Sequence, residues 1–417
     1  MFVFKFGGAS VKDSKSVKNV AKILRAYSSE KLLVVISAMG KTTNLLESIL
    51  DTESQEKRSS LLLKFKDFHL DIAKSLGITD DFKNFIEERL NHITSFLEAN
   101  KDEFFRYDEI VSQGEMASTY LIHLFLINEG FDSHWLDARE IIKTQDNHKV
   151  TQVNWEDSSR QIKNSQASSK NKKLIITQGF IGSNKNNETT TLGREGSDFS
   201  AAIFAHLLNA ESVTVWKDVP GMLNADPRKF QNTIKLNQIS YREAIELAYY
   251  GASVIHPKTV KPLQNKKIPL YIKSFIDPGE EGTVITDGVD MIPLVPSFIS
   301  KREQILVSFT PRDFSFIGEK ELSEIFKVLS DHNIAVNLMQ NSAISFSIVF
   351  NHARQDLENI RQSLDLKFSI RFNKGLELLT IRHYNEPIIK ELTNGRNLLL
   401  EQRSRNTVRL IMDTSAQ

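Results

Sequence analysis

The chain has 417 residues, of which 40% are hydrophobic, which is enough for two or three domains with apolar cores. Its 53 basic and 52 acidic residues nearly balance, so the overall charge does not indicate binding to nucleic acid or to an anionic membrane. The absence of cysteine excludes disulfides, thiolate metal sites and thiol nucleophiles. Without a signal peptide or an apolar run of about 18 residues, the sequence predicts a soluble cytoplasmic protein.

Short apolar strands alternate with helical segments through about residue 290, which is typical of an α/β domain with a doubly wound, mostly parallel sheet. The predicted strands are Phe2–Phe6, Leu32–Ser37, Leu174–Gly179, Ser212–Trp216 and Ile268–Lys273. Residues from about 51 to 104 are rich in Lys, Glu and Leu, which predicts a helical insert. Residues 164–173 are rich in Ser, Asn and Lys, which predicts a surface loop.

The pattern changes near Gln304 to strand, helix, strand, strand, helix, strand, and a shorter version follows from about Leu376. It predicts two small α+β modules, at about residues 300–374 and 375–417. Neither contains a visible catalytic cluster, so a regulatory or oligomerising role is expected for both. Their exposed sheet edges favour pairing between subunits, and a homodimer is the expected minimum.

The most informative segment is Thr189 to Asp198, which leads directly into a predicted helix. Its glycines and the free amides of a helix N-terminus suit an anion, and Arg194 would add a positive charge. Asp198 is unusual in an anion site. It is expected to bind a metal or a substrate amine or to align charged groups, or else to be an ordinary helix cap.

Lys5 lies in a strand otherwise made of Phe and Val, immediately before Gly7 and Gly8. A buried lysine needs a partner for its charge, and glycines allow a polyanion to approach the backbone, so both features suit phosphate. A strand-end lysine that reaches water is the alternative. No G-x-x-x-x-G-K-[ST] motif occurs, so this is not a Walker loop.

A second strand end, Val215 to Gly221, carries Lys217 and Asp218 into a Pro-Gly turn. Side chains at this edge of an open α/β sheet are placed where ligands bind. Downstream, Arg228 follows Asp226 and Pro227, and we expect it to reach phosphates, whereas Asp218 or Asp226 would bind Mg²⁺ through water.

Glu115 follows Ser112 to Gly114 at what reads as the start of another helix. It either complements the helix dipole or binds the ammonium of a substrate. Polar residues after the second strand are candidate caps or ligand hydroxyls, namely Ser37, Thr42, Thr43 and Asn44. The ten histidines form no cluster at metal-ligand spacing, so no structural metal is predicted, and His256 is expected to be a buried polar residue.

Together these segments resemble aspartokinase, the amino-acid-kinase-fold enzyme that phosphorylates the side-chain carboxylate of aspartate. The resemblance covers nearly the whole chain, and the order and spacing of the segments make it specific. The segments that carry it are 5–10, 37–44, 114–115, 178–180, 189–198, 218–221, 226–228 and 251–257. The tail is similar to the paired ACT modules of that family, where lysine or threonine end products bind. No segment resembles homoserine dehydrogenase, so the resemblance indicates the monofunctional form.

The resemblance implies ATP-dependent formation of 4-phospho-L-aspartate, the first step of lysine, threonine and methionine biosynthesis, with Mg²⁺ held mainly by the phosphates. It makes Lys5 the cation that stabilises the transferring phosphoryl group and Asp198 the residue that orients Lys5. Arg194 would bind the α-carboxylate of aspartate and Glu115 its ammonium. The residues that would shape the aspartate pocket are Ser37, Thr43, Phe180 and Ser197. Those that would surround ATP are Gly7, Gly8, Ser10, Lys217, Asp218, Leu223, Asp226, Arg228, Ser253 and Val254.

Four positions depart from the pattern of the family. Glu195 stands where a second glycine is common, which places a negative charge beside Arg194. Ser253 stands where many relatives have lysine and Lys217 where many have threonine, so one nucleotide-side cation is hypothesised to have moved. Asn337 takes a place often held by aspartate within Val336 to Ser342, the segment that resembles the effector site.

Two alternatives stay open. One keeps the kinase but changes the acceptor to glutamate or acetylglutamate; Arg194 and Glu115 favour a free amino acid instead. The other is a catalytically silent amino-acid sensor that uses the kinase fold as a scaffold. Retention of both Lys5 and Asp198 argues against the sensor.

Overall fold

The structure is a computed structural model that describes residues 1–169, 172–252, 255–313, 315–351 and 354–414. The chain forms two compact units. The first unit comprises Met1–Met222, Lys235–Ile245 and Val254–Pro293. The second comprises Leu223–Ile234, Glu246–Ser253 and Leu294–Gln417. The domain boundaries expected from the sequence, near residues 290, 300 and 374, stay predictions.

The strands of the first 293 residues are short, as buried strands of α/β proteins usually are. They are β1 Phe2–Phe6, β2 Leu32–Ile36, β3 Ser133–Leu136, β4 Leu174–Gln178, β5 Ile181–Ser183, β6 Thr189–Thr191, β7 Ser212–Lys217, β8 Met222–Leu223, β9 Lys235–Leu236, β10 Gln238–Ser240, β11 Leu270–Ser274 and β12 Thr283–Thr286. Eight of them form one sheet in the order β10-β12-β11-β7-β1-β2-β4-β3. All neighbours in this sheet run parallel except β11 and β12. The predicted mostly parallel sheet is confirmed.

Helices connect these strands, as parallel pairing requires. They are α1 Ser14–Ala26, α2 Thr42–Asp51, α3 Gln55–Leu76, α4 Thr79–Leu97, α5 Glu103–Asn128, α6 Ala138–Ile141, α7 Trp155–Ser169, α8 Gly196–Leu208, α9 Tyr241–Tyr250 and α10 Pro257–Lys266, with a 3₁₀ turn at Gly8–Val11. The helix α1 begins where Asp13 accepts a hydrogen bond from the amide of Ser16 at 2.7 Å. Its apolar face, including Val17 and Leu24, is buried in the core.

The central strand β1 lies between β2 and β7, and its side chains from Val3 to Phe6 are buried. Most residues of β1, β2 and β4 are Phe, Val, Ile or Leu, because helices cover both faces of the sheet. Since parallel strands end at the same edge, the residues that follow β1, β2, β4 and β7 meet there.

Two local expectations from the sequence can be compared with these elements. The helical structure predicted for residues 51–104 is confirmed, because α3 and α4 occupy most of this range. The predicted surface loop at 164–173 is wrong for its first part, because α7 continues to Ser169. The side chain of Asn154 accepts a hydrogen bond from the amide of Asp157 at the start of α7, a cap that composition alone did not reveal. Residues 170 and 171 lie outside the described residues.

The second unit contains a six-stranded antiparallel sheet in the order β14-β15-β13-β16-β18-β17. Its strands are β13 Ser297–Pro311, β14 Val336–Asn341, β15 Phe346–Asn351, β16 Phe368–Arg382, β17 Leu398–Arg403 and β18 Thr407–Asp413. Its helices are α11 Glu319–Asp331, α12 Arg354–Leu364 and α13 Glu386–Thr393. The predicted strand and helix order is confirmed, and both expected modules contribute strands to this one sheet.

The long strands β13 and β16 pair over most of their length and join the two halves of this sheet. One core contains Phe309, Ile325 and Ile360 and packs α11 and α12 on the sheet. Another contains Ile381, Ile389 and other apolar residues beside α13. Among the described residues, no helix combines the length and apolarity needed to cross a membrane.

Candidate active site

The carboxyl edge of the eight-stranded sheet borders a cavity of about 540 Å³. Ten residues singled out from the sequence line it: Lys5, Gly8, Ser37, Thr43, Glu115, Phe180, Arg194, Ser197, Asp198 and Lys217. They come from segments far apart in the chain, which the fold brings together at one edge of the sheet. The cavity is therefore the candidate active site.

Lys5, Lys217 and Asp198 form what we call the Asp198 cluster. The Lys5 Nζ lies 2.5 Å from Asp198 Oδ1, and the Lys217 Nζ lies 3.4 Å from Oδ2. Asp198 is 2% exposed and Lys5 8% exposed. Burial alone would raise the pKa of Asp198, but attraction to Lys5 and then Lys217 lowers it below its usual value. The carboxylate therefore stays ionised and holds two ammonium groups beside the cavity. The alternative of a helix cap is wrong, because Glu195 is the N-cap of α8 and the Asp198 carboxylate pairs with these lysines.

The loop before α8 turns sharply to place Arg194 and Ser197 on the cavity. Gly193 and Glu195 both have positive φ angles, 72° and 54°. Glycine adopts this conformation readily, whereas a glutamate there is strained. Gly196 is needed for a different reason, since a Cβ at this position would lie 2.6 Å from the ring of Phe180. The backbone of this loop is thus fitted closely to the wall of the cavity.

Glu115 lies inside α5 rather than at a helix start, because α5 begins at Glu103. The expected helix opening at Ser112 is wrong, and with it the explanation of Glu115 by the helix dipole. Its side chain is buried; Oε1 accepts a 3.3 Å hydrogen bond from the Ala38 amide, and the buried Oε2 has no hydrogen-bond partner. Burial raises the pKa of Glu115 to about 8, although the Ala38 amide opposes the shift. A buried acid with a free oxygen at a cavity is suited to a cationic group.

The turns after β1 and β2 approach each other closely at the cavity. A Cβ on Gly8 would lie 2.7 Å from the backbone oxygen of Ala38, so only glycine fits. Thr43, in the first turn of α2, lines the cavity, whereas the hydroxyl of Thr42 donates to the Met39 oxygen at 2.6 Å. The sequence allows the same two roles, cap or ligand hydroxyl, for both threonines. In the structure, Thr43 faces the cavity and Thr42 supports the turn.

Sequence reasoning missed four side chains that line the cavity: Glu47, Tyr107, Lys149 and Val150. Tyr107 donates a 2.8 Å hydrogen bond to Glu47, and the Lys149 Nζ lies 5.2 Å from the centre of the Tyr107 ring. Lys149 also has a positive φ of 71°. They lie within helices or in an irregular segment, where no motif marks them.

Buried Asp108 holds the segment that carries Lys149. One oxygen of Asp108 accepts hydrogen bonds from the His148 Nδ1 at 3.0 Å and from the Lys149 amide at 2.9 Å. The other accepts one from the Thr191 hydroxyl at 2.5 Å. These bonds fix one wall of the cavity to α5.

Other residues predicted to surround ATP do not line this cavity. They are Gly7, Ser10, Asp218, Leu223, Asp226 and Arg228. Gly7 adjoins it, since a Cβ there would lie 3.3 Å from the Lys5 Nζ, and Ser10 donates to the Trp216 oxygen at 3.5 Å. Leu223, Asp226 and Arg228 belong to the second unit, where exposed Arg228 pairs with Asp226 at 2.9 Å. Ser253 and Val254 lie outside the described residues, and the ATP roles of the whole set stay predictions.

His256 corrects another expectation. It is exposed rather than buried, and its Nδ1 accepts a 3.2 Å hydrogen bond from the amide of Lys258 at the start of α10. The following Pro257 occupies the first turn, where a missing amide hydrogen costs nothing. The histidine therefore acts as a helix cap, a role that its sequence context with proline was able to suggest.

The comparisons with known proteins agree with this geometry. Residues 1–274 match the model of the amino acid kinase family. The chain is 33% identical over 349 residues to lysine-sensitive aspartokinase 3 of Escherichia coli strain K12, covering 83% of this chain and 77% of that protein. It is 31% identical over 369 residues to chloroplastic aspartokinase 2 of Arabidopsis thaliana, covering 84% and 66%. The chain belongs to the amino acid kinase family and, within it, to the aspartokinases.

Solved structures give the same result. The chain superposes on E. coli aspartokinase III in complex with lysine and aspartate, in the T-state, with a TM-score of 0.84 and 27% identity, covering 99% of this chain and 95% of that chain. For the R-state complex with aspartate and ADP, the TM-score is 0.83, the identity 28% and the coverage 99% and 96%. The amino-acid-kinase fold and the antiparallel sheet that follows it are thus those of an aspartokinase. Against a bifunctional aspartokinase/homoserine dehydrogenase of A. thaliana, the chain spans 42% of the relative's length.

Proposed function

We propose that this chain catalyses ATP-dependent phosphorylation of the side-chain carboxylate of L-aspartate, giving 4-phospho-L-aspartate and ADP. The observation that carries the proposal is that the buried pair of Lys5 and Asp198 lines the same cavity as Arg194 and Glu115. The E. coli relative that has been solved with aspartate and ADP supports both substrates. The reaction would supply the first activated intermediate for lysine, threonine and methionine synthesis.

The aspartate side of the cavity carries one group for each charge of the amino acid. The Arg194 guanidinium would bind the α-carboxylate, and the ionised Glu115 would bind the α-ammonium. Thr43, Phe180, Ser37 and Ser197 would form the walls around the side chain. A free ammonium is then required, which favours aspartate or glutamate over an acetylated acceptor.

The transfer itself needs no protein nucleophile and no general base, because the aspartate carboxylate is ionised at neutral pH. One of its oxygens would form a bond to the γ-phosphorus of ATP while the bond from that phosphorus to the bridging oxygen of ADP breaks. Lys5 would neutralise charge on the transferring group, and Asp198 would keep Lys5 in place. The glycine at position 8 would allow phosphate oxygens close to backbone amides.

Mg²⁺ is expected to arrive with the nucleotide, whose phosphates would hold it and whose charge it would neutralise. Within the described ranges, no group of three or more His, Asp or Glu side chains is placed to hold a metal ion. Asp198 and Asp218 are carboxylates near the sheet edge that would contact the ion through water.

The antiparallel sheet is proposed to bind an amino-acid effector and to pair subunits. One E. coli relative is lysine-sensitive, and the segment from Val336 to Ser342 forms the edge strand β14 here. The opposite edge, β17, is also free to pair within the described sheet. Light scattering after size-exclusion chromatography tests the expected dimer. Assays with L-lysine or L-threonine added separately test the effector.

A hydroxylamine trap tests the activity. The purified protein is incubated with MgATP and L-aspartate, L-glutamate or acetylglutamate, and hydroxamate and ADP are measured. We expect hydroxamate with aspartate alone, and its loss in Lys5→Ala. Hydroxamate with glutamate instead would change the acceptor. ATP binding without turnover on any acceptor would favour the amino-acid sensor.

A further inference from the structure

The turn of residues 192–196 carries Arg194 to the cavity, and we call it the Arg194 turn. Its Leu192 amide donates to the Phe180 oxygen at 2.9 Å, and its Gly196 amide donates to the Gly193 oxygen at 2.9 Å. The Arg194 side chain is exposed, and within the described ranges its guanidinium forms no hydrogen bond or ion pair. The position of this guanidinium therefore depends on the contacts that hold the backbone of the turn.

Lys258, at the start of α10, contacts the chain on both sides of the Arg194 turn. Its Nζ donates to the Leu192 oxygen at 2.6 Å, and the same atom lies 5.4 Å from the centre of the Phe199 ring in the first turn of α8. A hydrogen bond from an ammonium group is stronger than one between neutral groups, and a cation over an aromatic ring adds to it. Burial lowers the pKa of Lys258, and attraction to the Glu195 carboxylate opposes this shift. One ammonium group thus acts on the chain before, within and after the turn.

The backbone of Lys258 is itself fixed, because α10 packs along α8. His256 caps α10 by accepting a hydrogen bond from the Lys258 amide at 3.2 Å. Further along α10, a 2.9 Å hydrogen bond joins the His206 Nδ1 to the Pro262 oxygen, and the Lys266 Nζ donates to the His206 oxygen at 2.6 Å. Helix α10 therefore holds α8 at both ends, and Lys258 makes the contact beside the Arg194 turn.

We propose that Lys258 is a positioning residue for aspartate binding: it fixes the backbone of the Arg194 turn, and with it the point from which Arg194 reaches the α-carboxylate of the substrate. This inference rests on the proposed kinase function and concerns a residue that does not line the cavity. A guanidinium binds a carboxylate through two parallel hydrogen bonds, so a small shift of its backbone weakens both. Lys258 also attracts the Glu195 carboxylate, which offsets part of the negative charge beside Arg194.

Two other roles for Lys258 differ in what they change. A purely structural contact between α10 and α8 would affect thermal stability and would impair the use of both substrates alike. A contact with the nucleotide would raise the KM for ATP. Positioning of Arg194 instead raises the KM for aspartate alone, and the effect disappears once the guanidinium itself is removed.

The test compares Lys258→Met, Lys258→Arg and Lys261→Met with the wild type, and repeats Lys258→Met in an Arg194→Ala background. Lys261 is exposed on the same helix and serves as the matched control. The hydroxamate assay gives kcat and the KM values for aspartate and ATP, and calorimetry gives the affinity for aspartate without turnover. Thermal unfolding checks that each variant is folded.

We expect Lys258→Met to raise the KM for aspartate about tenfold, within the range for weakening a hydrogen bond between charged groups. Its kcat and its KM for ATP should stay within about threefold of the wild type. Lys258→Arg keeps a cationic donor and should restore most of the aspartate affinity. Lys261→Met should behave as the wild type does. In the Arg194→Ala background, Lys258→Met should change kcat/KM for aspartate by less than about threefold.

Any of four results would overturn the inference. They are a KM for aspartate within about threefold of the wild type in Lys258→Met, an equal rise in the KM for ATP, no restoration by Lys258→Arg, or an undiminished loss in the Arg194→Ala background. If Lys258→Met does not fold, Lys258→Gln replaces it. If Arg194→Ala shows no turnover, the comparison among the wild type, Lys258→Met and Lys258→Arg decides.

Failure of the proposed function is recognised separately. If the wild type binds aspartate but forms no hydroxamate, the kinase function fails, and the calorimetric affinities of the wild type and Lys258→Met still decide whether Lys258 supports aspartate binding. If the wild type does not bind aspartate, both proposals are overturned.

Discussion

Both compact units contain partly buried basic side chains, but the oxygen atoms that these side chains contact differ. In the first unit, Lys5 and Lys217 share the ionised carboxylate of Asp198. In the second unit, the Lys301 Nζ donates to the amide oxygen of Asn337 at 2.9 Å, and Arg409 donates to the backbone oxygen of the same residue. The first arrangement contains a full opposite charge, whereas the second contains only dipoles.

The second arrangement, which we call the Asn337 cluster, is a network of amides and two cations. Asn337 donates to Gln304 at 2.8 Å and to Asn351 at 2.9 Å, and Gln304 is fully buried. Burial, and then repulsion from Arg409, lowers the pKa of Lys301. The comparison teaches that the Asp198 carboxylate holds two lysines at the edge of the cavity through its opposite charge. In the antiparallel sheet, the amide of Asn337 contacts the same kind of group without balancing its charge.

Removing the carboxylate of the Asp198 cluster should have the largest effect. Asp198→Asn keeps the shape but leaves the buried Lys5 and the half-buried Lys217 without this carboxylate, so we expect kcat to fall by about 1,000-fold or more. The loss of a buried ion-pair partner should also lower the free energy of unfolding by about 3 kcal/mol. Hydroxamate kinetics and urea unfolding measure the two effects. Asp71→Asn, which removes an exposed carboxylate of α3, is the control for a general loss of negative charge. An Asp198→Asn enzyme with wild-type kcat would contradict the assignment of the cluster.

Glu115 extends the comparison to a buried acid for which no cationic partner is found among the described residues. We expect Glu115→Gln to raise the KM for aspartate about 10- to 100-fold, the range for a lost charge-assisted hydrogen bond. Because the pKa of Glu115 is raised to about 8, the free enzyme carries the protonated acid below that pH. Binding of an ammonium requires the ionised form, so the wild-type KM should fall as the pH rises from about 6.5 to 8.5, while the variant should show no such dependence.

The raised pKa of Glu115 also predicts how stability changes with pH. As the pH rises, aspartate binding should improve, whereas the stability of the folded state should fall. A carboxyl whose pKa is raised in the folded state contributes stability that is complete below the unfolded pKa, about 4.5, and is lost as the pH rises to about 8. Glu115→Gln should therefore gain thermal stability relative to the wild type as the pH is raised through this window. Equal melting temperatures for both proteins at every pH would show that Glu115 is not desolvated.

Adding a carboxylate to the Asn337 cluster should make it resemble the Asp198 cluster. Asn337→Asp places a negative charge beside Lys301 and Arg409, which should stabilise the folded state. Because the carboxylate cannot donate the two hydrogen bonds that the Asn337 amide makes, we expect the free energy of unfolding to rise by only about 1 kcal/mol. Chemical denaturation at low and high salt measures the gain and its screening. Asn341→Asp, exposed on the same strand, is the control, and an equal change in both variants would rule out a specific ion pair.

The smallest expected effect concerns the strained backbone beside Arg194. Glu195→Gly should raise the free energy of unfolding by about 0.5 kcal/mol, because relief of the positive φ of 54° is partly offset by the greater freedom of glycine in the unfolded chain. Glu195→Ala removes the charge but keeps the Cβ, so it separates strain from electrostatics. A gain with alanine as large as that with glycine would assign the effect to charge.

The sequence predicted the parts of the active site that lie at strand ends. Lys5 and Lys217 follow from strands that end at one edge of a parallel sheet, a relation that apolar runs reveal. Glu115 was assigned to a helix start because its motif resembles one, whereas α5 begins twelve residues earlier and its interior position depends on packing. Lys149 was missed because contacts with Asp108, 41 positions away in sequence, hold it at the cavity. Long-range pairing of this kind leaves no periodic signal in the chain.

The assignment of Leu223–Ile234 and Glu246–Ser253 to the second unit bears on how such a protein can evolve. In the second unit, Phe230 stacks on Phe298 at 5.4 Å, and Arg409 lies over the Tyr250 ring at 5.2 Å. A single recombination event after Pro293 would join these segments to a foreign tail and leave their aromatic surfaces without partners. The antiparallel sheet therefore shares one compact unit with two pieces of sequence that lie between segments of the first unit. Exchange of modules between genes would need compensating changes at all three places.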